Sequence, residues 1–140
     1  MSKPVFKDLL RLSGRRNRKS FLLAHLAISL GGGIAATVAM HLAVSIETAG
    51  GKPISGDVVG PAMIAIFLVA APLVAVNTVI LAQRIRDIGY SGWFALAGLA
   101  PWVSIPVYLL ALVLPGTRGA NRYGPDPLGR PAAGAAPQPA

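Results

Sequence analysis

The sequence predicts an all-α fold, a polytopic membrane helix bundle with three transmembrane segments. Three observations carry this. Of the 140 residues 54% are hydrophobic and 13% charged, the mean hydropathy is +0.60, and the apolar residues run in long blocks rather than alternating with polar faces. Basic residues gather beside those blocks: Lys3, Lys7, Arg11, Arg15, Arg16, Arg18 and Lys19 all precede the first one. Gly, Pro and polar clusters separate one block from the next. The length bounds the chain to one domain.

Residues 1–20 form a basic lead-in, cytoplasmic or interfacial. Phe6, Leu9, Leu10 and Leu12 fall within about two turns, with Lys7, Asp8 and Arg11 between them. That pattern fits a short amphipathic helix in the headgroup layer, or a solvated basic arm that only sets orientation. The membrane domain follows over 21–127, with spans at about 21–46, 58–82 and 93–114, and residues 128–140 are a Pro-, Ala- and Gly-rich tail read as disordered.

The first span is long enough to cross the roughly 30 Å hydrocarbon core. It is also too long for a signal peptide's apolar region. Ala27, Gly31, Ala35, Ala39 and Ala43 recur at every fourth position, a helix-packing face on which another helix, of this chain or a second one, can approach closely. The second span carries Pro72, expected to kink it. Asn77 is costly to leave unpaired in lipid and belongs on the bundle interior, as interhelical glue ahead of a transport site. The third contains Pro101, Pro106 and a central Trp102. A full crossing is the first reading, and a re-entrant hairpin stays open beside it.

Between the second and third spans lies a compact polar hinge, Gln83 to Trp93. Arg84, Arg86 and Asp87 follow an apolar helix end, Gly89 and Gly92 permit a tight turn, Ser91 lies between them, and Trp93 anchors the far side. Arg84 or Arg86 can pair with Asp87 or hold lipid phosphates. Beyond the third span, Asn121, Tyr123, Gly124 and Asp126 form a turn-rich stretch expected to dock on the bundle end. A dock on the hinge would require hinge and tail on one side of the membrane.

Charge placement sets orientation. With the N-terminus cytoplasmic and three crossings, nine basic residues lie inside and four outside; if the third segment turns back, twelve lie inside and Lys52 alone outside.

The residues argue against several functions. The net charge of +8 concentrates at membrane entry points, as inner-leaflet anionic headgroups demand, so nucleic acid is not the expected partner. Without cysteine there is no disulfide, thiolate nucleophile or cysteine metal site. His25 and His41 sit sixteen positions apart on one span and cannot share a metal. The acids lie outside the spans, so acid–base catalysis has no evident carriers. No cofactor is implied. The reading is a non-enzymatic interaction or structural protein; the alternative is a small transporter or channel subunit.

With these residues in hand, three stretches resemble the motifs of the bacterial domain-of-unknown-function family 805 (DUF805), small inner-membrane proteins. Leu12 to Phe21, with Gly14, Arg15 and Arg18, resembles the opening F-x-G-R-x-x-R-x-x-F/W. Arg84 to Trp93 resembles the hinge R-R-L-H-D-x-G-x-S-G-W, with Arg86 where the family often has His and Ile88 where it often has Thr. Pro115 to Pro127 resembles the closing P-G-x-x-G-x-N-x-Y-G-x-D-P. The resemblance implies a multi-pass protein of the bacterial inner membrane and implies no activity.

Overall fold

The computed structural model describes residues 6–49 and 56–134, and among these it is helical with no strand. Helix α1 runs Arg18–Thr48 and α2 Gly56–Ile88. At 1.5 Å per residue they are about 46 and 50 Å long, each longer than a bilayer core, and each holds an apolar stretch suited to crossing, Arg18–Ile46 and Met63–Ile88. A 3₁₀ helix, Gly92–Leu99, and a shorter helix α3, Pro101–Val113, complete the set. Most of the loop expected at 47–57 lies outside the described residues, as do residues 1–5 and 135–140 of the lead-in and tail.

The third segment is not one continuous helix. A helix of 22 residues would rise about 33 Å. Here Ala100 is extended (φ −80°, ψ 121°), and the chain breaks into a 3₁₀ leg of about 16 Å and an α leg of about 20 Å. Neither leg spans a bilayer core. The legs pack together, and a Cβ on Gly98 would reach the Tyr108 ring, so the chain doubles back. Both ends return to the C-terminal turn of α2: Gly92 lies against the Arg86 guanidinium, while Arg84 donates to the carbonyls of Ala111 (2.7 Å) and Leu114. Pro101 starts α3 where its missing N–H costs nothing. Trp102, at the bend, is 91% exposed.

Two compact units divide the chain. The first comprises residues 1–25 and 78–140 and holds every buried apolar side chain of the described residues: Phe21, Ala24, Ile80, Leu81, Ile85, Ala95 and Ala111. Phe21, His25 and Tyr108 stack within it, with centroids 4.6 to 6.2 Å apart. The second comprises residues 26–77, and its described residues are mostly exposed and apolar.

Within the second unit the close approach falls one residue from the expected register. Gly32 is buried, and a Cβ there would collide with Leu73. Ala27, Gly31 and Ala35 are exposed, whereas Ala39 and Ala43 are half-buried. A four-residue repeat turns about 40° per step on a 3.6-residue helix. A series beginning at Ala27 therefore cannot hold one face, and its last two members rotate onto the side of Gly32. Replacing Gly32 with Leu is expected to lower thermal stability in detergent by about 1–3 kcal/mol through overpacking, while Gly31→Leu, with open space around it, leaves stability unchanged. Equal losses from both would show that the contact with Leu73 does not set the packing.

Candidate functional site

The residues from the three motif stretches meet in the first unit, around Asp87. Helix α2 continues through the expected hinge to Ile88, so Arg84 and Asp87 share its last turns at i, i+3. A carboxylate buried there needs compensation, because desolvating a charge costs several kcal/mol. Asp87 is 2% exposed. It forms ion pairs with Arg84 of its own helix and with Arg15, whose Nε lies 3.1 Å from Oδ1.

Arg15 supplies the link to the rest. Its Nη1 donates to the carbonyls of Gly119 (2.7 Å) and Gly124 (3.1 Å), and its Nη2 to the carbonyl and hydroxyl of Thr117 (2.5 and 2.9 Å). Thr117 in turn donates its amide (2.8 Å) and hydroxyl (3.1 Å) to the Asp87 carbonyl. Gly116 passes so close to the Asp87 carboxylate that a Cβ would collide with it. Gly89 (φ +106°) ends the helix in a conformation L side chains rarely adopt, and turns the chain toward Thr117.

A second layer ties the lead-in to α2. The expected amphipathic helix is absent among the described residues: 6–10 form turns, with Asp8 at φ +58°. Carbonyls of this stretch accept donors from elsewhere in the unit. Lys7 takes Arg16 (2.7 Å), Asp8 and Arg11 take the Gln83 amide (each 2.7 Å), and Leu12 takes Arg86. Arg16, fully buried, also binds Gln83 Oε1 (2.9 Å) and Ser20 (2.7 Å). Burial pulls its guanidinium below the ordinary arginine range, with the Asp8 charge opposing.

The tail docks further than expected. Asn121 and Gly124 exchange backbone bonds across a tight turn, and Asn121 Nδ2 holds the Arg86 carbonyl (3.0 Å) and the Thr117 hydroxyl (2.9 Å). Tyr123 lies beneath the guanidinia of Arg122 and Arg86, 4.7 and 6.0 Å from its centroid. Of residues 128–134, Arg130 and Ala132 reach the same turn. Arg130 pairs with Asp126 (2.8 Å) and reaches the Gly116 and Thr117 carbonyls, and Ala132 packs on Gly119. Burial pushes the Asp126 carboxyl up, but the hydrogen bonds from Arg130 and the Leu128 amide, with the Arg130 and Arg15 charges, hold it below the usual carboxylate range.

Of the remaining expected residues, Gly14 makes the turn before Arg15 (φ +97°). Arg18 donates to the Leu114 carbonyl (3.0 Å), Ser91 caps the 3₁₀ helix at the Trp93 amide, and Trp93 itself is exposed. The sequence reading did not single out Arg16, Gln83, Thr117 or Arg130. Many of their partners are backbone carbonyls, which leave no mark in side-chain composition. Among the described residues no group of three His, Asp or Glu is placed to hold a metal ion.

Comparison with known proteins agrees with this motif set. The family described as Protein of unknown function (DUF805) matches residues 9–125. The chain is similar to Inner membrane protein YhaI of Escherichia coli (strain K12) and of Escherichia coli O157:H7, each 28% identical over 123 residues, covering 88% of this chain and 91% of the relative. No solved structure matches.

Asp87→Asn leaves Arg15 and Arg84 buried without their counter-charge and is expected to cost about 3–5 kcal/mol in thermal stability; Gly116→Ala destabilises as well, while Gly33→Ala, which meets nothing, does not. A neutral effect of Asp87→Asn would mean the ion pairs hold nothing together. The Asp126–Arg130 contact should respond to acid. A carboxyl held low in the folded state contributes fully at neutral pH, and that contribution is lost as pH falls below about 4, the unfolded value, and through the folded one. Limited proteolysis after residue 126 should therefore rise only in that acid range, and Arg130→Gln should remove the pH dependence.

Proposed function

Because the chain belongs to the DUF805 family, a family of proteins of unknown function, we infer its role from the polar cluster itself: it is an inner-membrane interaction protein with no catalytic activity of its own. The observation that carries this is how fully the motif residues engage one another. Arg15 makes five hydrogen bonds, and both Asp87 oxygens face arginines. A catalytic acid, base or nucleophile must keep a free valence for its substrate. These groups instead brace three chain segments into one fixed surface, which suits a platform for lipid headgroups, a partner membrane protein or a second copy.

The transporter reading is the weaker of the two. It requires polar groups converging along the spans, and these polar side chains gather at the N-terminal end of α1 and the C-terminal end of α2.

The same cluster supports an orientation. It ties lead-in, hinge and tail to one side, so α1 and α2 cross while residues 92–113 enter and leave as a re-entrant hairpin. Twelve of the thirteen basic residues then share a side with Lys52 alone opposite, and the positive-inside bias puts that side in the cytoplasm.

The chain lacks cysteine, so single cysteines at Ser2, Ser55 and Gln138 report topology without background. Labelling by an impermeant reagent from outside is expected at Ser55 and at neither of the others; labelling at Gln138 would overturn the hairpin, and labelling at Ser2 the orientation. Affinity purification from mild detergent should recover a stoichiometric partner or a self-associated species, and recovery of a bare monomer would count against the interaction role.

A further inference from the structure

The C-terminal end of α2 and the two legs of the hairpin enclose a cavity of about 310 Å³, at the small end of the range for ligand pockets. Ile85 and Ala111 form its floor and are buried, while Phe94 and Leu110 on its rims are 60% and 54% exposed, so it opens outward as a groove. Tyr90 stands edge-on to Phe94 along one side, with ring centroids 6.3 Å apart. The lining residues of α3 run from Leu114 beside the hinge to Val107 toward the bend, a length of about 10 Å.

The walls decide what fills it. Among the lining side chains only Tyr90 carries a polar atom, and the Ala111 and Leu114 carbonyls already accept Arg84. An ordered water needs about two to four polar partners and does not find them here. Left empty, the groove forfeits the dispersion contacts of its lining. The occupant is therefore apolar. Exposed Leu96, Leu109 and Val113 carry the apolar surface on from the groove along both legs, so it is continuous with the face that meets lipid. Its hinge end is marked by charge. Ile88 and Tyr90 both line the groove, and the carbonyl of Gly89 between them has the Arg122 guanidinium within 3.4 Å. Arg122 is exposed, lies over the Tyr123 ring, and among the described residues pairs with no acid. Asp87 and Asp126 are held by other arginines.

We propose that this groove holds one acyl chain of an anionic phospholipid, with the lipid phosphate at Arg122. A helix, about 10 Å across with its side chains, lies over a groove between two packed legs rather than in it. A single hydrocarbon chain enters, runs the length of the groove and buries methylenes against Ile85 and Ala111. The apolar walls supply the affinity for the chain, and the unmatched guanidinium at the hinge end selects a negative headgroup over a neutral one. The proposal deepens the platform role inferred above, and it rests on residues 92–113 lying in the bilayer.

The test uses the full chain in a nonionic detergent, titrated with phosphatidylglycerol that carries a photoactivatable diazirine in one acyl chain, and maps the labelled peptides by mass spectrometry. Labelling is expected to saturate, to fall on residues 88–97 and 107–114, and to be displaced by unlabelled phosphatidylglycerol. Ala97→Leu fills the groove and should weaken the apparent affinity about tenfold or more without lowering the lipid-free melting temperature. Val107→Phe fills it from the other leg and replaces Ala97→Leu if that variant does not fold. Arg122→Gln, on an exposed side chain, should weaken phosphatidylglycerol about fivefold and leave phosphatidylcholine unchanged. Labelling that rises without saturation, spreads evenly over α1 and α2, or survives filling of the groove overturns the proposal. Equal affinity for phosphatidylcholine overturns the headgroup assignment. The detergent titration does not depend on topology, and the cysteine labelling at Gln138 does not depend on the groove, so the two readings fail separately.

Discussion

A carboxylate near the end of a membrane helix can stay charged and buried only if cations come to it, and Asp87 imposes that condition on the rest of the molecule. One cation, Arg84, is local to its helix. The second, Arg15, arrives from 72 positions away, and bringing it in closes the lead-in over the end of α2. An arginine has five N–H donors and cannot be left with most of them unmet in a dry site. The remaining donors of Arg15 then recruit the carbonyls of Thr117, Gly119 and Gly124, and so order the tail. The sequence of necessities runs from one acid to three chain segments, and each step satisfies a group that the previous step had buried.

The hairpin follows from the same economy of polar groups. The carbonyls at the end of α3 lie beyond the reach of a continuing helix, and Arg84 and Arg18 supply donors to Leu114. That return contact is available only if the segment comes back to where it started. Pro101 starts the second leg, with Ala100 breaking the helix, and the 3₁₀ geometry of the first leg keeps Gly92 against Arg86. Two legs shorter than a bilayer core suffice because the arginines, rather than the length of the apolar run, decide where the segment ends.

Much of this was legible in the sequence. Apolar blocks and their flanking charge marked α1 and α2 and the all-helical class, and the polar content of Arg84 to Asp87 and Asn121 to Asp126 marked stretches that would hold structure. What composition could not show was partner choice. Arg15 and Arg16 read alike as positive charge at a membrane entry, yet one binds Asp87 and the other Gln83. Arg130 sat in a Pro- and Ala-rich stretch whose statistics suggested no structure, and it became a dock through Asp126. Phe6 to Leu12 had the spacing of an amphipathic helix, but the stretch forms turns whose Lys7, Asp8, Arg11 and Leu12 carbonyls accept Arg16, Gln83 and Arg86. The four-residue alanine series was a true pattern whose geometry, at about 100° per residue, did not match a straight contact line.

The link from Arg15 to Thr117 and Gly124 also fixes an order in time. The ribosome delivers Arg15 first, Asp87 much later, and the carbonyls that complete the site last. While α1 and α2 are entering the bilayer, the donors of Arg15 have no tail to meet, and water and headgroups must serve in its place. The buried state of this charge cluster is therefore a late event, reached when residues 116–124 emerge and displace that solvent. Quality control at the membrane would see an open, hydrated helix end until residues 116–124 close it.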